Sequence, residues 1–238
     1  MITFHVITLF PESLESYLNA SIVRRAGERG LISVKCYNPR DFVAVPKGKK
    51  AADLSYADRR VDNRPYGGGP GMVIEALPVI RAIDAAVGKK IKTAASRKKV
   101  AILFFSPAGE QFSNAAADSF KGLTDSVLIA GRDEVREARV NQAFKTTAVS
   151  IGPYTLTGGE LPAMVVIDAV TRRIPGVLGD DLSVEESRIA ASDVYTRPDT
   201  IAFKGKKYKV PEILLGGHHA KIDEWKLQGK EGRKGGKK

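Results

Sequence analysis

Cysteine, histidine and tryptophan are scarce in this 238-residue sequence, which has one Cys, three His and one Trp. A lone Cys36 excludes an internal disulfide framework and a cysteine-rich zinc site, and it fits a reducing compartment. His218 and His219 are adjacent, so they do not form the i, i+4 pair that a helix offers to a metal. No metal site is read from the sequence, and a structural role is favoured for these two histidines. Long apolar runs are missing too, and none approaches the ~20 residues that cross a bilayer. The amino terminus, Met1-Ile-Thr-Phe-His5, has no basic n-region. A soluble, cytoplasmic protein with no membrane partner is therefore expected. There is no Gly-x-x-x-x-Gly-Lys-Ser/Thr phosphate loop, no Gly-x-Gly-x-x-Gly behind a strand, and no internal repeat.

What remains is an ordinary globular balance, 43% apolar and 27% charged, which excludes a wholly disordered chain and allows one or two domains. Charge is the unusual part, at +11 net. The last ten residues, Gly229–Lys238, contribute five cations and one Glu, or +4, so the body still carries +7. Basic clusters recur at Lys47/Lys49/Lys50, Arg59/Arg60/Arg64, Lys89/Lys90/Lys92, Arg97/Lys98/Lys99 and Lys204/Lys206/Lys207/Lys209. An excess spread this way attracts polyanions, nucleic acid first among them, and its plainer reading is solubility.

Apolar patterning gives the class. Residues 2–10 are β-branched and aromatic and read as a buried strand, with Pro11-Glu12 opening a helix. A second strand is read over 32–36, an irregular basic and glycine-rich loop over 43–71, a helix over 78–87 and a basic connector over 88–99. Then short apolar runs each end in small residues: 100–105 at Ser106-Pro-Ala-Gly109, 126–130 at Gly131, and 148–150 at Ile151-Gly-Pro153. Continuous apolar strands separated by helix-length segments predict an α/β fold whose parallel sheet is covered on both faces. Ligands of such sheets lie beyond the carboxyl ends of the strands.

Thr157-Gly-Gly-Glu160 has capping-box spacing, and a helix is read from Leu161 towards Pro175 with Arg172 and Arg173 in its last turn. An acidic stretch (Asp180, Asp181, Glu185, Glu186) follows, and a final helix is read over 213–227, with Trp225 as a core anchor. A carboxylate and an arginine near one cleft suit proton removal from a substrate whose new charge needs stabilising. Taken alone, such a cluster is usually a solvated surface. The cluster Tyr66-Gly-Gly-Gly-Pro-Gly-Met72 likewise reads either as a surface loop or as backbone that must approach a ligand closely.

Read in order, these segments resemble the bacterial tRNA (guanine-N1)-methyltransferases, the TrmD family. The matching stretches are Thr8-Leu-Phe-Pro-Glu12, Asn38-Pro-Arg-Asp-Phe42, Arg64-Pro-Tyr-Gly-Gly-Gly-Pro-Gly-Met72, Ser106-Pro107-x-Gly109, Gly131-Arg132-x-Glu134 and Ser150-Ile-Gly152. They continue through Tyr154-x-Leu-Thr-Gly-Gly-Glu-Leu-Pro-Ala-Met164, Ile167-Asp-Ala-Val170, Ile174-Pro-Gly-Val-Leu-Gly179, Tyr195-Thr-Arg-Pro198, Val210-Pro211 and His219-Ala220. The set spans about residues 2–227.

The resemblance implies a trefoil-knotted methyltransferase domain of the SPOUT class, a small and mainly helical C-terminal domain, and a homodimer. The divisions it implies are a knotted donor-binding domain over 1–160, a helix and interdomain linker over 161–185, an RNA-binding domain over 186–228 and a disordered basic tail over 229–238. The implied activity is methyl transfer from S-adenosyl-L-methionine to N1 of the guanosine immediately 3′ of the anticodon, with Mg²⁺ left open. The implied donor cradle is Phe104, Phe105, Ser106, Pro107, Gly109, Gly131, Glu134, Ser150, Ile151, Gly152, Tyr154, Leu156, Gly158, Gly159 and Pro162. Arg172 is the implied catalytic arginine. Glu186, which stands before Ser187 where the family usually carries Asp, is the implied base, with Glu185 as competitor. Arg64, Tyr66, Gly67, Gly68, Arg197 and His219 are the implied contacts to the tRNA anticodon stem-loop. Asp133, Val135 and Ala138 stand where the family has Tyr, Gly and Glu, and Pro153 stands where it has Asp. Those changes keep two alternatives open: a knotted methyltransferase with another RNA target, and a catalytically silent RNA-binding relative.

Overall fold

A computed structural model describes residues 1–68, 71–131, 138–178 and 194–231. The chain divides into two units, Met1–Val177 and Leu178–Lys238. Strand β1 (Ile2–Ile7) is buried at every position. Helix α1 (Glu12–Leu18) starts behind Pro11, a place where a missing N–H costs nothing. Helix α2 (Ser21–Glu28) turns Val23 and Ala26 inward and pairs Arg24 with Glu28 at 2.6 Å on its outer face. Strand β2 (Ile32–Tyr37) leads to a 3₁₀ turn at Pro39–Phe42, capped by the Asn38 side chain. The basic loop that follows holds little regular structure beyond a short antiparallel pair, β3 (Asp62–Asn63) with β4 (Val73–Ile74).

Helix α3 (Ala76–Ile83) runs on as a π-turn over Asp84–Gly88, and one turn of helix, α4 (Ala94–Arg97), carries a Thr93/Ser96 capping box. Strand β5 (Val100–Gln111), helix α5 (Asn114–Asp118), strand β6 (Asp125–Ile129), helix α6 (Ala138–Phe144), strand β7 (Thr147–Ser150) and helix α7 (Glu160–Thr171) complete the first unit. All five long strands are parallel, in the order β2-β1-β6-β5-β7. One face packs Phe4, Leu128, Val166 and Ile167 with Leu14 and Val23, and the other packs Ile102, Val127 and Ile129 with Val79, Ile83 and Val140. Burial on both faces is why these strands read as unbroken apolar runs. Each such fully buried side chain contributes about 1.5–3 kcal/mol.

The sheet also buries a polar cluster. His5 Nε2 donates to Asp125 Oδ1 at 2.8 Å, and Lys90 Nζ donates to the same oxygen at 2.7 Å. The Tyr37 hydroxyl lies 3.2 Å from His5 Nδ1, the acceptor once Nε2 carries the proton. Burial lowers the His5 pKa although Asp125 pulls it up. Burial works to raise the Asp125 carboxyl, but hydrogen bonds from Lys90 and His5 outweigh it and leave the pKa below the ordinary carboxylate range.

In the second unit, β8 (Thr200–Phe203) and β9 (Lys206–Lys209) form a hairpin whose two-residue loop, Lys204-Gly205, has positive φ at both positions. That is the twist a two-residue hairpin needs. Helices α8 (Glu212–Leu215) and α9 (His219–Glu231) follow.

Several expectations are corrected here. The strand read over 100–105 continues to Gln111, because a bulge rather than a turn absorbs Ser106–Gly109: Phe105 and Glu110 both pair with Val149. Thr157 is not the cap of α7. Gly159 is, without a side-chain cap, and the Glu160 carboxylate instead accepts from the Thr8 hydroxyl at 2.7 Å. Arg172 is the C-cap of α7, so both arginines follow its last helical residue. The helix read over 213–227 is broken at Gly216-Gly217, where Gly217 takes φ +65°, and its second piece runs past Gly229 to Glu231. Trp225 is half-buried rather than a core anchor.

Candidate active site

The bulge of β5 and the carboxyl ends of β6 and β7 meet the loop that leads into α7, and a cleft opens there. Twelve residues of the implied donor cradle line it: Phe105, Ser106, Pro107, Gly131, Ser150, Ile151, Gly152, Tyr154, Leu156, Gly158, Gly159 and Pro162. Val149 and Thr155 line it too. Their neighbours carried the motif, and nothing about either residue type marked it. Phe104 lies behind the wall, with its ring edge 3.6 Å from where a Cβ at Gly131 would sit. Gly109 also stands behind the lining. A Cβ there would meet Val149 N at 2.6 Å and Ala148 C at 2.7 Å, so only glycine lets the bulge lie against β7.

The backbone of this cleft is held from within. Ser150 Oγ accepts from Gly152 N–H at 3.2 Å and donates to the Gly152 carbonyl at 3.0 Å, which closes a tight turn at the end of β7. The Tyr154 ring folds over Gly152 and its hydroxyl donates to the Ile151 carbonyl at 3.2 Å. Gly159 N–H donates to Gly131 O at 2.9 Å, and its Cα lies so close to β6 that a Cβ would stand 2.5 Å from Ala130 Cα. Thr8, at the end of β1, holds the first residue of α7 through Glu160, a pairing that the dipole at the helix start favours. The lining offers peptide N–H and C=O groups, hydroxyls and apolar surface, with no carboxylate, lysine or arginine among its fourteen residues. Such a surface suits a neutral heteroaromatic ring and ribose better than a phosphate.

The remaining implied residues are scattered. Arg172 is half-buried at the far end of α7 from the cleft, where the carbonyl end of the helix favours a cation. Ten residues separate it from Pro162, about 15 Å of helix. Asp168, one turn before Arg172, is taken by a short hydrogen bond from the Tyr17 hydroxyl, which pushes the Tyr17 pKa up to about 12. Arg64, Tyr66, Gly67 and Gly68 are exposed on the loop after β3, with Gly67 and Gly68 at positive φ. Arg197 and His219 are exposed in the second unit. Glu134, Glu185 and Glu186 lie outside the described residues. Among the described residues no group of three or more His, Cys, Asp or Glu could hold a metal ion, and no helix is long and apolar enough to cross a membrane.

Known proteins place this geometry. A curated tRNA (guanine-N(1)-)-methyltransferase of Heliobacterium modesticaldum is 42% identical over 225 residues, which cover 93% of this chain and 77% of that protein. Proteins of the same name from Clostridioides difficile and Bacteroides thetaiotaomicron are each 38% identical, covering 94% of this chain and 90% and 91% of their own lengths. The profile of the family described as tRNA (Guanine-1)-methyltransferase TrmD matches residues 2–238. This chain therefore belongs to the TrmD family of tRNA (guanine-1)-methyltransferases.

Proposed function

We propose that the chain methylates N1 of the guanosine immediately 3′ of the tRNA anticodon, with S-adenosyl-L-methionine as donor. The observation that carries this reading is the peptide-lined cleft at the bulge of β5 and the ends of β6 and β7, in a chain of this family. The cleft fits the donor: Gly131, Gly152, Gly158 and Gly159 line it without side chains, and Ile151 and Leu156 bring their peptide groups to it, where an adenine edge would be read. The donor, when bound, supplies a sulfonium methyl that is already electrophilic. The work left to the protein is to orient it and to prepare the acceptor. Guanine N1 carries a proton at neutral pH and becomes nucleophilic only when that proton leaves. Glu186 accepts it, with Glu185 as the competing carboxylate. Arg172 faces the negative charge that spreads onto O6 and stabilises it.

The placement of Arg172 supports a homodimer. About 15 Å of helix lies between it and the cleft of its own chain, and a second α7 running antiparallel to the first would bring each arginine to the other copy's cleft. Leu161 and Val165, one turn apart on the outer face of α7 and 54% and 44% exposed, offer apolar surface for that contact. The return of the chain at Gly159 onto the end of β6, after β7 has been laid at the sheet edge, supports the threaded trefoil, a rarity among folds. Arg64, Tyr66, Gly67 and Gly68 in the first unit, and Arg197 and His219 in the second, would contact the anticodon stem-loop, whose target base leaves its stack to react.

The test is transfer of tritiated methyl from the donor to an in vitro tRNA transcript, with the product nucleoside identified by mass spectrometry. N1-methylguanosine is expected, and a transcript with adenosine at the target should stay unlabelled. No transfer together with no donor binding by calorimetry would replace this reading with the silent RNA-binding one, and donor binding with no transfer to any tRNA would replace it with a methyltransferase of another RNA target.

A further inference from the structure

The most concentrated charge on the first unit lies at the end of the sheet away from the cleft. The connector between α3 and β5, residues 88–99, holds six cations (Lys89, Lys90, Lys92, Arg97, Lys98 and Lys99) and no carboxylate. We propose that this amino-terminal end of the sheet is a second RNA-binding surface, taking the phosphate backbone of a helical limb of the tRNA outside the anticodon stem-loop. This inference rests on the tRNA reading above.

The connector is pinned in place. Lys90 Nζ bonds the buried Asp125 carboxylate at 2.7 Å. Arg97 donates to the carbonyls of Val100 at 2.7 Å and Phe144 at 3.0 Å, which ties the connector to the turn before β7. Thr93 and Ser96 cap each other across α4, and the Thr124 N–H holds the Lys99 carbonyl at 3.0 Å. With two cations spent on anchoring, Lys89, Lys92, Lys98 and Lys99 stay exposed, and the Arg97 contact brings exposed Lys145 beside them. These lysines project from a fixed frame, so facing a polyanion costs less ordering than it would on a free tail.

Chemistry selects the partner. Spaced ammonium groups on a fixed surface match a run of phosphates and carry no base specificity. A membrane would also attract them, but a membrane-binding face adds exposed apolar side chains, and here Ile91 packs into the core cluster instead. Geometry selects the part of the RNA. From Lys99 to Phe105 the strand climbs about 20 Å, so an anticodon loop held at the cleft does not also cover this patch, whereas a rigid substrate extending from the loop has other helical phosphates to offer.

The experiment replaces Lys89, Lys92, Lys98 and Lys99 together by Gln in the full chain and measures affinity against salt for two RNAs, a full-length tRNA transcript and an isolated anticodon stem-loop. For the full transcript the expected affinity at low salt is on the order of tenfold weaker, and the slope of log K against log salt is smaller by about one for each lysine that met a phosphate. Stem-loop affinity should not change, and methylation of full-length tRNA should show a raised KM at an unchanged kcat. Unchanged affinity and slope for the full transcript overturn the proposal. Equal losses for both RNAs overturn it as well, and so does weaker binding to anionic vesicles with tRNA binding intact. If the unsubstituted chain methylates neither RNA, the methyltransferase reading fails, while the two salt slopes still decide this one.

Discussion

A methyl group added at Gly159 should damage both the fold and the donor cleft. The new Cβ would stand 2.5 Å from Ala130 Cα, 3.0 Å from Ala130 C and 3.1 Å from Gly131 N, all of them backbone atoms that cannot swing aside. Carbon atoms rest at about 3.5–4.0 Å, so the start of α7 must retreat by about 1 Å. The Gly159 N–H···O=C Gly131 bond, now 2.9 Å, would then stretch beyond hydrogen-bonding range. Overpacking costs about 1–3 kcal/mol and the lost bond about 0.5–1.5 kcal/mol, so Gly159→Ala should lose about 2–4 kcal/mol in urea unfolding. Gly131, Gly159 and Pro162 all line the cleft, and the same 1 Å shift should weaken S-adenosyl-L-methionine binding at least tenfold by calorimetry. Gly122→Ala is the control, because nothing lies within 4 Å of a Cβ there and its φ is ordinary. It should stay within about 0.5 kcal/mol of the parent and bind the donor normally. If Gly159→Ala behaves like Gly122→Ala, the tight crossing of α7 over the end of β6 does not shape the site.

Two further outcomes are expected. Arg172→Ala should lower kcat far more than donor affinity, and mixing Arg172→Ala subunits with cleft-blocked Gly131→Trp subunits, where a Cβ meets only the Phe104 ring at 3.6 Å, should restore activity, since one of the two shared sites is then intact; no recovery in dimers shown to be mixed would place Arg172 in its own chain's site. Stability should fall with acidity in two stages, because burial holds the His5 pKa below 6.5 and the unfolded chain therefore binds the proton first: unfolding free energy is full above about pH 6.5 and declines below it by at most about 1.4 kcal/mol per pH unit, the Asp125 contribution follows below about pH 3.8, and a His5→Gln variant with the same slope between pH 5 and 7 would refute the first stage.

The parts of the fold legible in the sequence are those where one residue pattern has one physical meaning. Apolar runs at 100–105 and 126–130 need cover on both faces, and the parallel sheet supplies it. Gly131 after the second run marks where the chain leaves the ladder, and twelve of the residues that the family resemblance implies for the donor cradle share one cleft. Illegible features depend on contacts distant in sequence. Ser106–Gly109 has the composition of a turn, and only the partner strand turns it into a bulge. Glu160 sits at capping-box spacing from Thr157, yet Thr8, 152 residues away, takes its carboxylate. His5 and Asp125 are each unremarkable in their own strands and become a pair only because β1 lies beside β6. The hairpin at 200–209 was hidden by its four lysines, since lysine is poor in strands and the signal lies in the Lys-Gly turn.

Helix α7 shows why composition alone understates this site. Its buried residues recur on one side, at Ala163, Val166, Ile167 and Val170, but Leu161 and Val165 leave apolar surface on the other side, ahead of Asp168 and Arg172 on the same stripe, and such exposed apolar surface suits a contact with another chain. Its amino end, stripped of side chains at Gly158 and Gly159, presents backbone to the donor cleft; its carboxyl end presents Arg172. A rigid helix holds those two ends apart, so one chain cannot bring both to a single reacting centre. On the proposed reading, pairing two copies of α7 head to tail solves both problems at once, by covering the apolar face and by setting each arginine against the other cleft. That proposed pairing would make activity depend on protomer concentration, because a lone chain would keep a donor cleft with no arginine to face the acceptor.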